Sequence, residues 1–426
     1  LWWIKAGPAF PGWQAALPVI ATAVLLHAGA SGSSWVQRLL SLKPLVFVGL
    51  ISYSLYLWHW PLFVMVRYRN GMEPLAPAVS FLLCGVAILL AAASYRWVET
   101  PLRRKTSRAS GVSWRTVLAT ALSSTLALAI GAHIVKIDHG RQSRFSKEII
   151  KFDNYRNPVI PFVECQGNVH FKRYDPCVVG DVNSDRRILL WGDSYAMAWV
   201  PAFDVLGKIH SFAVDTAILS SCPGLVGIDI SGGHGCKSFN EKIVEYLSGL
   251  QGHSYEAIVL IGSWGPYLDS ASGIFLDGQL DEQAKASVFS MGLRNSISII
   301  AASGAKPIII GPTPGAPGDV PYRIAAAMAF NFKLPQGKSI REVDAYDSRF
   351  WSIANKFKSM QALTLVDPSP WFIAGNEYLF KSEQDGLLYR DSGHLSLAGA
   401  NFVARQFPVN IIPNAMSITT QHGPKP

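Results

Sequence analysis

The chain has 426 residues, of which 49% are hydrophobic and 16% are charged, and it carries a formal net charge of +9. This length allows about two or three domains with enough apolar material for buried cores. The positive charge does not indicate a nucleic-acid partner, because much of it lies beside long apolar segments and no nucleic-acid-binding motif occurs.

The first 136 residues contain four long apolar stretches separated by short connections. They cover approximately residues 13–30, 44–66, 74–98 and 114–135. Each is close to the roughly 17–25 residues that a membrane-spanning helix needs. Buried helices of a large soluble core are the alternative, but the basic connections favour four transmembrane helices.

The Lys and Arg residues of this region predict its orientation. The connection at residues 95–110 contains Arg96, Arg103, Arg104, Lys105 and Arg108. Because cytoplasmic loops are enriched in Lys and Arg, we expect this connection in the cytoplasm and the chain after residue 135 outside. Arg67 and Arg69 would then lie on the outer side, which counts against the assignment.

Four of the five cysteines lie in the part of the chain that is predicted to be outside: Cys165, Cys177, Cys222 and Cys236. An oxidising compartment favours two disulfides, for which three pairings exist. The short loops favour Cys165 with Cys177 and Cys222 with Cys236. Four free thiols in a cytosolic protein are the alternative.

Beyond residue 185, short apolar runs alternate with helical segments. The runs are at 187–191, 212–218, 257–262, 306–311 and 363–367, and the helical segments at 196–208, 238–250, 281–303, 345–360 and 396–406. Continuous apolarity is typical of strands that are covered on both faces, so we predict a mostly parallel sheet between helices. Sites in such sheets lie at the carboxyl ends of the strands.

The first of these runs ends in Gly192, Asp193 and Ser194. A serine between a strand and a helix has its hydroxyl near the helix N-terminus, where unpaired N–H groups favour developing negative charge. The alternative is that Ser194 only caps the helix.

A second polar segment near the end of the chain places Asp391 three residues before His394. A serine becomes a good nucleophile when a base removes its proton, and a carboxylate fixes the tautomer of that base. Asp391 could instead cap the last helix, and His394 could be a surface residue. Both segments together, on an alternating α/β pattern, favour catalysis.

The segments "GDSYA" at 192–196 and "DSGHLSLAGA" at 391–400 resemble the end blocks of the SGNH hydrolase family. The resemblance implies a three-layer α/β/α, flavodoxin-like fold at 185–412 with Ser194, Asp391 and His394 as a triad. It also implies oxyanion donors at Ser194 and Gly224. Trp264 occupies the position where the family often has an Asn donor.

The segments "GLISYSLYLWHWPL" at 49–62 and "SYRWVETPLRR" at 94–104 resemble the closing transmembrane helices of acyltransferase family 3. That family moves acyl groups across the membrane onto extracytoplasmic sugars, and some members carry an SGNH domain outside. Since the chain starts at Leu1 without a signal-peptide pattern, we expect it to be the carboxy-terminal part of such a protein.

These expectations define the predicted organisation. Residues 1–136 form four transmembrane helices, 137–184 a periplasmic linker and Cys loop, 185–412 the SGNH-like domain and 413–426 a tail. We expect a multi-pass protein of the bacterial inner membrane whose SGNH-like domain lies in the periplasm. The missing upstream helices would handle an acyl donor such as acetyl-CoA, and we expect this fragment to bind no cofactor or metal.

The predicted activity is O-acyl transfer, with acetyl as the favoured group, to polysaccharide or lipopolysaccharide sugars through an acyl-serine. Its partners would be membrane lipid and a glycan acceptor, with Trp264 and Tyr267 binding the sugar. A membrane-tethered carbohydrate esterase would use the same triad. A non-catalytic glycan-binding domain is the third hypothesis.

Overall fold

The computed structural model describes fourteen parts of the chain: residues 16–30, 35–70, 74–100, 114–138, 140, 142–155, 162–167, 169–170, 177–230, 235–249, 255–268, 274–275, 285–360 and 363–413. The chain divides into two compact units. One comprises Leu1–Ile150 with Ala325–Lys333, and the other comprises Lys151–Ile324 with Leu334–Pro426.

Apolar helices dominate the first unit: α1 (Ala16–Ala30), α2 (Trp35–Leu40), α3 (Lys43–Arg69), α4 (Pro77–Ser94) and α5 (Trp114–Ile137). A π-helical turn, Tyr95–Glu99, continues α4. Within the described residues, three helical segments are long and apolar enough to cross a membrane: Lys43–Arg69, Pro77–Glu99 and Leu118–Ile137. Many of their large apolar side chains are exposed, as expected for helices that face lipid.

Two sequence predictions for this unit concern segments that the structure describes only in part. The first apolar stretch was predicted to span the membrane, but α1 has 15 residues and residues 13–15 lie outside the described part. Most of the basic connection at 95–110 is also outside it, since residues 101–113 are not described. The orientation of the helices therefore remains a prediction.

A seven-stranded sheet forms the centre of the second unit. Its strands are β1 (Val169–His170), β2 (Val179–Gly180), β3 (Arg187–Gly192), β4 (Ala213–Ile218), β6 (Ala257–Ile261), β8 (Lys306–Ile310) and β9 (Thr364–Val366). Five strands are parallel in the order β4-β3-β6-β8-β9, and β1 and β2 pair antiparallel with β4. The predicted mostly parallel sheet is confirmed, and its strand order reverses between β3 and β6, where ligands bind in such folds.

Three two-stranded sheets lie outside this sheet. They pair β5 (Asp229–Ile230) with β7 (Ile274–Phe275), β10 (Ile373–Ala374) with β11 (Glu377–Tyr378), and β12 (Lys381–Ser382) with β13 (Gly386–Leu387).

The remaining helices are α6 (Lys147–Asn154), α7 (Ser194–His210), α8 (Cys236–Gly249), α9 (Trp264–Leu268), α10 (Lys285–Ala302), α11 (Val320–Phe330), α12 (Ile340–Ala354) and α13 (Leu397–Gln406). Apolar side chains of α8, α10 and α12 pack on one face of the sheet against Trp191 and Leu260. Because α7 and α13 pack against each other and α7 covers β3 and β4, helices lie on both faces, and the three-layer fold is confirmed.

Two disulfides stabilise loops of the second unit. Cys165 is bonded to Cys177 and Cys222 to Cys236, which are the pairs that the short loops favour. Cys84 is a free cysteine.

Candidate active site

A tight turn between β3 and α7 carries the predicted nucleophile. It begins at Gly192, where a Cβ would overlap the carbonyl oxygen of Ile261, so only glycine allows the two strands this approach. Asp193 is the N-cap of α7, because its carboxylate accepts a hydrogen bond from the N–H of Tyr195. The capping role therefore belongs to Asp193, and Ser194 is the first residue of the helix.

The Asp193 carboxylate also fixes this turn to the loop after β6. The side chain is 1% exposed. It accepts hydrogen bonds from the Ser263 N–H at 2.9 Å, the Ser263 hydroxyl at 3.2 Å and the Tyr267 hydroxyl at 2.7 Å. Burial raises the pKa of Asp193, while these hydrogen bonds act to lower it. The result is a rigid support directly beside Ser194.

Ser194, His394 and Asp391 form a continuous hydrogen-bonded chain. The Ser194 Oγ lies 2.8 Å from Nε2 of His394, and Nδ1 of His394 lies 2.8 Å from Oδ2 of Asp391. All three residues are half-buried, so a substrate can reach the serine. The structure therefore brings together the three residues that were predicted as a triad.

Asp391 is held in the orientation that this arrangement requires. Its Oδ1 accepts hydrogen bonds from the N–H groups of Gly393 and His394, at 2.8 and 2.7 Å. Burial acts to raise the pKa of Asp391, but its hydrogen bonds with His394 and Gly393 outweigh that effect and lower the pKa below its usual value. The ionised carboxylate favours the tautomer that has its proton on Nδ1 and leaves Nε2 free to accept one from Ser194.

Tyr195 connects the nucleophile turn with the histidine loop. Its ring centroid lies 4.7 Å from that of His394. A Cβ at Gly393 would overlap the Tyr195 hydroxyl, so a glycine there allows the loop to pass close to the tyrosine. The loop is further held by a 2.9 Å hydrogen bond from the Ala316 N–H to the Ser392 carbonyl.

The two predicted oxyanion donors occupy different environments. The Ser194 N–H belongs to the first turn of α7, where N–H groups have no partner within the helix. Gly224 is buried against the Trp191 ring, and its carbonyl accepts a 2.8 Å hydrogen bond from the Ser296 hydroxyl. Among the described residues, no hydrogen bond joins Gly224 to Ser194, and the role of Gly224 as a donor remains a prediction.

The predicted sugar-binding roles of Trp264 and Tyr267 require correction. Trp264 is 0% exposed, its ring stacks on Phe350, and its indole N–H donates to the Ile310 carbonyl at 2.7 Å. Tyr267 is buried as well, with its hydroxyl on Asp193. Neither ring face is free to stack on a sugar, since both side chains are part of the core that supports the site.

A cavity of about 500 Å³ opens at the carboxyl ends of the strands, next to the triad segments. Its lining includes Tyr195, Ser263, Gly315, Lys338, Tyr346 and Asp347. This volume lies within the range of small-molecule sites. Sequence reasoning missed Tyr195, Ser263 and Asp347, although Tyr195 directly follows the predicted nucleophile and Ser263 directly follows a predicted strand.

The arrangement fits chemistry that uses a serine nucleophile. Among the described residues, no group of three His, Cys, Asp or Glu side chains is placed to hold a metal ion. A base within hydrogen-bond distance of a serine hydroxyl, oriented by a carboxylate, is the arrangement that activates serine for acyl transfer.

A family model described as "SGNH domain (fused to AT3 domains)" matches residues 164–408 of the chain. Two relatives from Staphylococcus aureus match shorter segments. O-acetyltransferase OatA (strain NCTC 8325 / PS 47) is 40% identical over 87 residues, which are 20% of this chain and 14% of that protein. A protein of strain MRSA252 with the provisional name O-acetyltransferase SAR0937 is 30% identical over 190 residues, covering 41% of this chain and 30% of that protein. The chain therefore spans less than a third of either relative.

Two solved structures are similar at low identity. The periplasmic domain of a Salmonella ser. Paratyphi A lipopolysaccharide acetyltransferase matches with a TM-score of 0.41 and 18% identity, covering 52% of this chain and 82% of that domain. A GDSL-like lipase from Bacteroides thetaiotaomicron VPI-5482 matches with a TM-score of 0.30 and 11% identity, covering 60% of this chain and 95% of the lipase.

Proposed function

The chain belongs to the family of SGNH domains fused to AT3 domains, and we propose that it transfers acyl groups, acetyl in the first place, to sugar hydroxyls of an extracytoplasmic polysaccharide or lipopolysaccharide. The observation that carries this proposal is the hydrogen-bonded chain from Ser194 through His394 to Asp391. The names of the two staphylococcal relatives support acetyl as the group transferred.

The first half of the reaction forms an acyl-serine. The Ser194 oxygen attacks the carbonyl carbon of the donor while Nε2 of His394 takes the hydroxyl proton, and Asp391 stabilises the resulting imidazolium. The Ser194 N–H at the start of α7 donates to the oxyanion of the tetrahedral intermediate. The intermediate collapses when the donor's leaving group departs with the proton from His394, and the acyl group remains on Ser194 as an ester.

The second half passes the acyl group to the acceptor. Nε2 of His394 removes the proton from a sugar hydroxyl, whose oxygen attacks the acyl-serine carbonyl. Collapse of this second intermediate returns the proton to Ser194 and releases the sugar ester. Transfer in place of hydrolysis requires that bound sugar excludes water from the acyl-serine.

The membrane part would supply the acyl group. Helices that precede this chain in the whole protein would bind a donor such as acetyl-CoA, and the helices of the first unit would belong to the same multi-pass assembly in the bacterial inner membrane. The apolar helices and the two disulfides support a membrane protein with its SGNH domain in the periplasm. Membrane lipid and a glycan acceptor would then be its partners.

An assay that contains both water and sugar as acceptors tests this proposal against a membrane-tethered esterase. The full chain in detergent receives p-nitrophenyl acetate and a candidate glycan, and acetate and acetylated glycan are both measured. The proposal predicts acetylated glycan from wild type and none from Ser194→Ala. Release of acetate without any acetylated glycan would indicate the esterase.

A complementation experiment in cells tests the non-catalytic alternative. In a strain that lacks the whole protein, Ser194→Ala should abolish O-acetylation of the glycan at a normal protein level. Unchanged O-acetylation with this variant would favour a glycan-binding domain.

A further inference from the structure

The cavity next to the triad contains a carboxyl group that the proposed reaction does not use. Asp347 projects from α12 into its lining and is 6% exposed. Within the described part of the chain, the Asp347 side chain forms no hydrogen bond and no ion pair within bonding distance. The Asp347 oxygens are not among the fully buried unpaired side-chain atoms of the described residues, so they are accessible from the cavity, where the hydroxyls of a ligand can donate hydrogen bonds to them.

The electrostatic environment of Asp347 comes from three elements. Its pKa is raised to about 7, mainly by burial; the carboxylates of Asp367, after β9, and Asp344, on α12, contribute to this shift, and Lys338 opposes it. A ligand that donates hydrogen bonds would stabilise the carboxylate in a site that otherwise disfavours its charge.

Lys338 lies at the opening of the same cavity. A Cβ at Gly315 would lie 3.0 Å from its Nζ, which places the ammonium group against the loop that follows β8. This ammonium forms no hydrogen bond within the described part of the chain. The cavity therefore offers a hydrogen-bond donor and a pair of carboxyl acceptors at separate points of its wall.

The cavity adjoins the triad through Tyr195 and Ser392, which are direct neighbours of Ser194 and Asp391 in the chain. Tyr195 lines it and packs on His394. Burial raises the pKa of the Tyr195 hydroxyl, and the charges of Asp193, Asp391 and Asp347 add to that shift, so Tyr195 lies within electrostatic reach of both the triad and Asp347. A molecule held at Asp347 can extend along Tyr195 towards Ser194.

We propose that Asp347 is the residue that binds the acceptor sugar, with its two carboxyl oxygens accepting hydrogen bonds from a pair of neighbouring ring hydroxyls. Adjacent hydroxyls of a pyranose match a carboxylate because each oxygen receives one O–H donor. Lys338 donates to a further sugar oxygen at the opening of the cavity, and the exposed Tyr346 ring offers an apolar surface to the sugar face. This inference rests on the proposed transfer to a glycan and specifies its acceptor site.

Sugar binding to the full chain tests this site without depending on catalysis. Ser194→Ala protein is titrated by calorimetry and by saturation-transfer NMR with the methyl glycosides of glucose, galactose, mannose and N-acetylglucosamine. At least one glycoside should bind, and adding Asp347→Asn should weaken its binding about tenfold or more, since hydrogen bonds to charged groups are lost. Lys338→Met should weaken it severalfold, and Glu383→Gln, which changes an exposed carboxylate outside the cavity lining, should not change it.

Deoxy analogues of the glycoside that binds separate recognition from a general effect on folding. Removal of either hydroxyl that contacts Asp347 should weaken binding to the Ser194→Ala protein but have little further effect when Asp347→Asn is present. A structural role of Asp347 would weaken all analogues equally.

Each result distinguishes the inference from the proposed function. Loss of glycoside binding with Asp347→Asn at an unchanged melting temperature supports the acceptor site, even if Ser194 proves to hydrolyse esters only. The inference would be overturned if Asp347→Asn left binding unchanged, or if none of the four glycosides bound. The proposed transfer by Ser194 is tested separately, by measuring the acylated products.

Discussion

The hydroxyl of Ser194 lies 2.8 Å from Nε2 of His394, although 200 residues separate them along the chain. Ser194 begins α7 directly after β3, and His394 belongs to the loop before α13, a helix that packs against α7. The parallel sheet and this helix pair therefore bring the proposed nucleophile and its proposed base to the same edge of the fold.

Asp391→Asn tests the orienting role of the carboxylate. The amide removes the charge that favours the productive tautomer of His394, so acyl transfer should fall about 10³–10⁴-fold while the protein stays folded. The rate of p-nitrophenol release measures this effect. Glu383→Gln changes an exposed carboxylate elsewhere and should keep the wild-type rate. A loss below tenfold for Asp391→Asn would contradict the triad.

Trp264→Ala should act mainly on stability, because the side chain is 0% exposed although the residue lies in the wall of the cavity. The indole is enclosed by Phe289 and Phe350 and donates to the Ile310 carbonyl, so its removal leaves a cavity and an unpaired acceptor. The free energy of unfolding in urea should fall by about 3–5 kcal/mol. Weaker sugar binding at wild-type stability would instead restore the stacking role that the sequence suggested.

Loss of the Cys222–Cys236 disulfide should destabilise the domain and disturb the nucleophile turn. The bridge closes a loop with a sequence separation of 14, and removing it with Cys222→Ser and Cys236→Ser should cost about 3 kcal/mol in urea unfolding. Leu219, three residues before Cys222, accepts a hydrogen bond from the Cys222 N–H and donates its own N–H to the Gly192 carbonyl, so acyl transfer should also slow. Cys84→Ser removes a free thiol and should change neither quantity. Equal stability of the double variant and wild type would contradict this role.

Asp347 should make the stability of the domain depend on pH. Because its pKa is about 7 in the folded protein against an ordinary 3.8, the folded state binds more protons between these values. Stability should therefore fall as the pH rises through this window, and Asp347→Asn removes that loss. The melting temperature of Asp347→Asn minus that of wild type should increase from about pH 5 to pH 8. Glu383→Gln, which changes an exposed carboxylate that does not act on Asp347, should follow wild type at both pH values; a constant difference for Asp347→Asn would contradict the raised pKa.

The sequence was sufficient to predict the five parallel strands, but not β1 and β2, and to identify the three residues that the structure joins by hydrogen bonds. The strands are continuous apolar runs, and the reactive residues follow a strand end or lie three positions apart, so both signals are local in the chain. The disulfide pairs were favoured for the same reason, since each closes a short loop.

The supports of the site depend on contacts that local patterns do not contain. Asp193 is held by Ser263 and Tyr267, which follow it by 70 and 74 residues. Trp264 follows a strand end, where an exposed aromatic residue was expected, but Phe289 and Phe350 from α10 and α12 enclose it. Contacts with helices far along the chain decide which side chains are buried. For the same reason, the sequence alone did not show that Asp347 lines the cavity.

Intact-protein mass spectrometry after brief exposure to p-nitrophenyl acetate tests the central claim most directly. Wild type should gain the mass of one acetyl group, peptide mapping should place it on Ser194, and His394→Ala should greatly slow its formation. When acceptor sugar is added, the adduct should disappear and acetylated sugar should form. Labelling of Ser194→Ala at the wild-type rate, or an adduct on another residue alone, would contradict Ser194 as the residue that carries the acyl group.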